Sequence, residues 1–496
     1  MLQTLKNAWS TKEIRSKILF TLFILLIYRV GAVIPVPFVD SNGAFAESLD
    51  GTILEYMNIL SGGSMGNLTL FALGVQPYIN ASIILQLLAV VFPKLGELGK
   101  TDKKKMNLIT RLVTVGLAIV TAVGYYFLLR NGGGNYETFL THRAYEGNMA
   151  WFYGIVIVVC YTAGASLVMW LAERINEKGI GNGVSMILFA NIVVAVPSFV
   201  INLGTLVVDT FNYPTENGAN VWVYPLVTTV FAVVLVALLL ALIAFVIFVT
   251  GSERRIPVQY AKKVVGRKMY GGQSTNLPIK LNMTGVMPII FASSIVSFIP
   301  TVLQIVDSSL EKGLPEGWKT FADVIGPNGA VYPILLFVLI IGFAYFYTQI
   351  TFDPIEVANN LKKNGGAIPG IRQGRPTADH IRKILNKITL AGAIFLSFIA
   401  ILPTILGPHA FQYLFEWIVK GGIPADQILS MGSTQYLYMN GMLQDLGTYV
   451  TAVASSYTGI FTFGGTTLLI VVGVAIETFR ELEAQLTMRN YKGFLN

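Results

Sequence analysis

Residues 58–91 read NILSGGSMGNLTLFALGVQPYINASIILQLLAVV. A moderately apolar piece holding Gly62, Gly63 and Gly66 runs into a Pro-bearing apolar helix. The run over 74–93 has the roughly 20 residues that cross a bilayer core. A short, Gly-interrupted apolar segment at membrane depth is tolerated only where it is buried in protein or lines a cavity. The piece before the helix is therefore a candidate half-inserted helix. Beyond it Val75, Ile79 and Ile83 recur at a spacing of four, which puts three branched apolar side chains on one helical face. A stripe turned to lipid or to core packing has the same spacing, so periodicity alone leaves its role open.

Composition agrees with a membrane setting. Of 496 residues, 54% are apolar and 12% charged, where soluble proteins carry roughly 25% charged residues. Intrinsic disorder requires low hydrophobicity and high net charge, and is excluded. The single cysteine, Cys160, lies in an apolar run, so no intramolecular disulfide and no Cys-rich metal site can form.

Ten apolar stretches qualify as spans: 18–36, 74–93, 107–130, 150–171, 182–203, 222–250, 284–306, 329–351, 385–407 and 450–476. The first is long enough to span and lacks a small-residue cleavage site, so it reads as its own targeting signal. With the N-terminus inside, the inner segments hold 29 Lys and Arg and the outer loops 5, with Arg29 inside the first span. Acids divide as 12 inside and 15 outside, so the overall +8 resolves into +17 inside and −10 outside. The positive-inside rule then places both termini in the cytoplasm. The outer loop 204–221 splits ten spans into five and five, giving halves 1–205 and 206–496. Halves with an odd number of spans insert in opposite senses, the inverted-repeat arrangement that places a pathway at their interface.

Two inner loops, 251–283 and 352–384, exceed a minimal connector. The first interleaves β-branched, aromatic and basic residues as a short two-stranded hairpin does. Their bases suit contact with anionic lipids, or docking of a large partner, which two protruding basic loops on one side favour.

The spans are nearly empty of ionisable residues, which in membranes usually mark ion or substrate paths. Arg29 sits near the outer end of the first span, where it can snorkel or cap carbonyls; Lys94 and Glu477 sit at inner helix ends. The GKT at 99–101 has Lys94 where a phosphate loop needs Gly. His142, His380 and His409 are far apart, with His380 on the opposite side of the membrane from the other two. Catalysis, a metal and a cofactor thus have no residues assigned to them. A passive pathway driven by an external partner fits what is left. A secondary transporter would call for buried midplane charges, and an insertase or scaffold without a pore would turn the branched stripe to lipid.

The stretch TLFALGVQPYINASIILQLL (69–88) resembles the signature of the SecY family of protein-translocation channel subunits. YRVGAVIPVP (28–37), RINEKGIGNGVSMILFANIV (174–193), RRIPVQYAKK (254–263), LPIKLNMTGVMPIIFASSI (277–295), ANNLKKNGGAIPGIRQGRPT (358–377) and FGGTTLLIVVGVAIET (463–478) agree in the same order. The resemblance covers nearly the whole chain. It implies an all-α polytopic membrane protein, ten transmembrane helices in two pseudo-symmetric halves around an hourglass pore. A lateral gate lies where spans 2 and 3 meet spans 7 and 8.

The resemblance also implies residue roles. A plug half-helix at about 60–70 takes in Leu60, Ser61, Gly62, Gly63, Ser64, Met65, Gly66, Asn67 and Leu68. A pore ring is formed by Val75, Ile79, Ile83, Leu188, Ile192, Ile290 and Ile470. Gln86 on the second span is a gate residue. Arg254, Arg255, Arg267, Lys268 and Arg372 form a cytoplasmic docking face. The implied partners are the small subunits SecE and SecG, the SecA ATPase motor, the ribosome and signal-bearing polypeptides, in the bacterial plasma membrane. Energy comes from SecA, a translating ribosome or the proton motive force. Two features depart from the family pattern: a long outer connection at 408–447, and Asn80 where Ser or Thr is expected.

Overall fold

Backbone in hydrocarbon must satisfy its own hydrogen bonds, and the apolar runs accordingly form helices. The structure is a computed structural model that describes every residue except 1, 41–44, 47–48, 50–52, 132–137, 143, 145–148, 213–222, 261–262, 266–267, 271–273, 310–313, 327–328, 330, 406–464 and 493–496. The first half holds α1 (Leu2–Ser10), α2 (Lys12–Gly31), α3 (Ile53–Leu60), α4 (Gln76–Val91), α5 (Pro93–Thr101), α6 (Lys103–Asn131), α7 (Ala150–Lys178) and α8 (Gly183–Asn212). The second holds α9 (Val223–Gly251), α10 (Met287–Ser309), α11 (Glu316–Ile325), α12 (Tyr332–Thr351), α13 (Pro354–Lys363), α14 (Arg375–Ile405) and α15 (Gly465–Lys492).

Ten of these helices overlap the ten predicted runs. Six are long and apolar enough to cross a bilayer alone, and seven if α4 and α5 count as one bent span. Of the other three, α8 has a shorter apolar helix at Gly183–Ser198, α2 carries Arg15, Lys17 and Arg29, and α15 carries Glu477, Arg480 and Glu481. The tenth run was placed at 450–476, whereas the described helix begins at Gly465 and continues to Lys492; 450–464 lies outside the described residues. The ninth starts at Arg375, ten residues before the predicted 385, because Ile381, Leu385 and Ile388 keep burying one face among the charges. Between α4 and α5 the chain bends by 120°. Pro93 forces Phe92 out of helical conformation, to φ −108° and ψ 100°.

Helices up to α8 pack against later ones along two seams. On one, α10 packs against α4 and α6; on the other, α8 packs against α9 and α15. The main apolar cluster lies between them and draws on α2, α4, α7, α8, α10, α12, α14 and α15. A second cluster joins α6 and α7 to the residues around Phe45 and Leu54.

The predicted hairpin is present and larger than expected. Strand β1 (Glu253–Tyr260) pairs antiparallel with β4 (Ser274–Lys280), and β2 (Lys263–Val265) pairs with β3 (Lys268–Tyr270). The two-residue β5 (Gly366–Ala367), from the other inner loop, adds to β1 at Gln259 and Tyr260. Ile256 and Val258 point inward, with exposed residues between them, the period of two of a half-buried strand. With Ile279, Ile368 and Ile381 they form one apolar core shared by both loops.

Residues 61–75 form successive turns, and the helix of this region, α3, precedes them. Half-helix geometry was expected at 60–70; the observed helix ends at Leu60. Positive φ at Gly62, Gly63 and Gly74, 67°, 82° and 54°, explains the interruption, since glycine adopts this region without strain. Leu70 donates its N–H to the Ile34 carbonyl at 2.9 Å, and a Cβ at Gly164 of α7 would run into the Leu70 backbone. Gly164→Val therefore forces overpacking against rigid backbone, a cost of about 1–3 kcal/mol. The expected result is a lower thermal unfolding midpoint of the purified protein, with Gly116→Val, which has open space around it, as the unaffected control.

Candidate functional site

The seven side chains expected to form an apolar collar come from four helices and lie in one buried cluster. Pro77 lies in the first turn of α4, which Val75 precedes; Val75, Ile79 and Ile83 then stack one turn apart. Leu188 and Ile192 come from α8, Ile290 from α10 and Ile470 from α15. All seven belong to one buried cluster and none is more than 4% exposed. A stripe whose spacing fits lipid, core packing or a pore lining alike is thus turned away from lipid, among branched side chains of α8, α10 and α15. No group of three or more His, Cys, Asp or Glu side chains comes together among the described residues.

Close to the collar, 61–75 is fixed by bonds to distant helices. The Asn191 side chain on α8 donates Nδ2–H to the Leu60 carbonyl at 2.7 Å and to the Tyr28 hydroxyl at 2.9 Å. Arg29 donates to the Ala190 carbonyl at 3.0 Å and to the Gly62 carbonyl at 3.5 Å. Tyr125 donates to the Met65 carbonyl at 2.7 Å, Gly66 donates its N–H to Asn58 Oδ1 at 2.7 Å, and the Phe71 ring stacks on Tyr28 at 5.4 Å. Ser61, Ser64, Met65 and Leu68 are buried, as is Leu60, while Gly62, Gly63 and Asn67 are less so. Arg29 caps carbonyls, one of the two roles its position allowed. The sequence reading missed Asn191 and Tyr28; the polar Asn within the apolar FANIV of 189–193 was the available signal.

Gln86 lies half-buried on α4 and donates to Ser82 Oγ at 2.9 Å. The Tyr347 side chain of α12 lies close enough to Gln86 to interact with it, so polar groups of α4 and α12 adjoin near the seam of α4 with α10. Toward the other end of that seam a largely apolar cavity is lined by Met57, Gln76, Asn80, Tyr125, Ser297 and Thr301. The Thr301 hydroxyl, which donates to the Ser297 carbonyl at 2.7 Å, also lies 3.3 Å from the Met57 sulfur, so α10 touches α3. Asn80, the departure in the signature, faces this cavity rather than the collar.

At the end that carries the two long basic loops, Arg254 and Arg255 are exposed on β1. Arg255 pairs with Glu253 at 2.8 Å. Arg372 is exposed between β5 and α14, in a turn set by positive φ at Gly370 and Gly374 and closed by Thr377 donating to the Arg372 carbonyl at 2.7 Å. Neither Arg254 nor Arg372 has an ion-pair partner among the described residues. Lys268 begins β3; Arg267 and the outer connection 408–447 lie outside the described residues. Burial, with Arg480 nearby, pushes the Lys280 ammonium below its ordinary value, opposed by Glu253. Asp353 caps α13 by accepting from the Ile355 N–H at 2.8 Å, and Lys362 and Lys363 lie in its last turn, where cations offset the helix dipole. Bridged by β5 and a shared apolar core, the two basic loops are joined.

The family model described as SecY matches residues 69–446. Among curated proteins, the chain is 38% identical to a protein translocase subunit SecY of Streptomyces galbus, with both chains covered in full. It is 39% identical to that of Mycobacterium tuberculosis, again over the whole of both chains. Two solved structures share the fold at low sequence identity. One is of a protein-conducting channel, with TM-score 0.57, 16% identity, and 95% of this chain and 92% of that one covered. The other, of a SecY protein whose plug domain stabilises the closed channel, has TM-score 0.55 and 15% identity at the same coverage. Sec61 in a canine ribosome–channel complex aligns with TM-score 0.54 and 15% identity.

Proposed function

Because the chain belongs to the SecY family, we propose that it is the pore-forming subunit of a translocation channel, passing unfolded polypeptide across the bacterial plasma membrane and releasing apolar segments sideways into lipid. The observation that carries this reading is the collar: seven branched apolar side chains from four helices of both halves, buried in one cluster. An apolar constriction gates by dewetting, so it stops ions at rest. It also offers no fixed hydrogen-bonding groups to hold a passing chain of any sequence. A charged collar would bind some substrates and wet the closed pore.

In this reading 60–70 seals the outer side, and the seam of α4 and α6 with α10 is the lateral gate. Segments of about 20 apolar residues leave through it because they are stable in lipid. The subunit supplies no catalysis; force comes from a SecA motor or a ribosome docked on the Arg254 and Arg372 face, with SecE and SecG as membrane partners. The ribosome-bound Sec61 channel of similar fold supports ribosome docking. The inner-face charge, +17 against −10, supports cytoplasmic termini.

The gate makes a measurable prediction. An interhelical polar contact in a membrane contributes about 0.6 kcal/mol, so removing the contact of Gln86 with Tyr347 lowers the cost of parting the halves by about that much. Gln86→Ala and Tyr347→Phe should each let segments of lower hydrophobicity integrate, read as the hydrophobicity giving half-maximal integration in vesicles. The double variant should shift it no further than either single one. Full additivity would show that the two side chains act separately.

A further inference from the structure

We propose that Asn191 and Arg29 form a latch that holds 60–70 shut and ties its release to movement of α8, an inference that rests on the plug reading above. The two side chains come from different helices, and both grip the backbone where the segment begins. Asn191 is fully buried and both its Nδ2 hydrogens are used, on Leu60 O and Tyr28 Oη. Arg29 reaches Gly62 O and Ala190 O. A Cβ on Gly62 would come within 2.9 Å of Asn191 Oδ1 and 3.0 Å of both Arg29 terminal nitrogens. The Gly62 backbone is therefore held between an amide and a guanidinium, in a left-handed turn with φ 67°.

The grip lies next to the collar. Asn191 immediately precedes Ile192 and stands one turn from Leu188, the two collar residues of α8. Asn191 Oδ1 is buried with no hydrogen-bond partner among the described residues. A buried polar atom left unsatisfied destabilises the closed arrangement, which suits a contact that must part. When α8 moves outward to widen the collar, the Asn191 bond to Leu60 breaks in the same motion. Arg29, on α2, loses its second anchor at Ala190. Collar and seal then open together, and neither opens alone.

The test uses the chain assembled with its small membrane partners in vesicles, in a Cys160→Ser background carrying Met65→Cys. Modification of this otherwise buried position by a membrane-impermeant maleimide reports release, and ion flux reports leak. In the parent, an engaged signal-bearing polypeptide with its motor accelerates modification. Asn191→Leu, of similar volume without donors, and Arg29→Met should each raise resting modification and leak by roughly five- to tenfold, the population change that two lost membrane hydrogen bonds produce. Two variants on separate helices guard against a local packing defect, since such a defect lowers the unfolding temperature without exposing position 65. If substrate accelerates modification in the parent while both variants keep the resting rate, the latch is refuted and the plug stands. If substrate has no effect in the parent, the plug reading itself fails.

Discussion

Vesicles containing Ile290→Asn or Ile79→Asn leak ions at rest at least about tenfold faster than vesicles containing the unsubstituted chain. This is the expected consequence of placing one amide in an apolar constriction: water then has a hydrogen-bonding partner at the narrowest point, and a wetted pore conducts. Both positions are buried in the collar, on α10 and α4, which meet across the seam between the halves. Substituting either side of that seam should have the same sign and similar size. A comparable change on the outward face, Val120→Asn, where the side chain is exposed, should leave the leak unchanged. Silence in all three would place the seven side chains away from the conducting path.

Translocation driven by the motor falls roughly 100-fold with Arg372→Glu, while the resting seal and the unfolding temperature are retained. Truncating one partner of a desolvated, hydrogen-bonded charge pair costs about 2–5 kcal/mol, and roughly 1.4 kcal/mol is tenfold. Arg372 is exposed with no ion-pair partner among the described residues, on a turn whose backbone is set by Gly370, Gly374 and Thr377. Its charge is thus presented outward at little cost to folding. If its role were contact with anionic lipid, losing it would cost about 1 kcal/mol, a few-fold effect at most. Arg372→Lys separates the cases further. A bidentate partner rejects Lys, whereas a lipid surface accepts either cation.

Much of the architecture was readable because hydrocarbon imposes few choices. Length and apolarity located the helical runs, and alternating β-branched residues located the β1 to β4 hairpin. The inner ends of helices were harder. Charges in HIRKILNKI (380–388) end a hydropathy run, yet Ile381, Leu385 and Ile388 still bury one face against the sheet, so α14 extends past the membrane. The strand β5 has two residues and exists only because β1 offers an edge. No local pattern marks it.

The candidate site was legible in outline. The piece holding glycines 62, 63 and 66 was expected to be a half-inserted helix, whereas it forms turns and the helix lies upstream in ILEYMNIL (53–60), which includes the acidic Glu55. The spacing of Val75, Ile79 and Ile83 is the same for a lipid face and an interior one. Only the neighbours from α8, α10 and α15 decide between them. Asn191 and Tyr28 escaped notice because attention to ionisable groups passes over neutral polar ones, and their partners are more than a hundred residues apart in sequence.

The most direct measurement is site-specific photocross-linking of a polypeptide stalled in transit. A photoreactive residue is placed in turn at Ile79, Leu188, Ile290 and Ile470, and as controls at Val120 and Phe248, both exposed on the outward surface. The expected result is adducts with the middle of the stalled chain from all four collar positions and none from the controls. Adducts from Val120 or Phe248, with none from the collar, would contradict a central apolar pore.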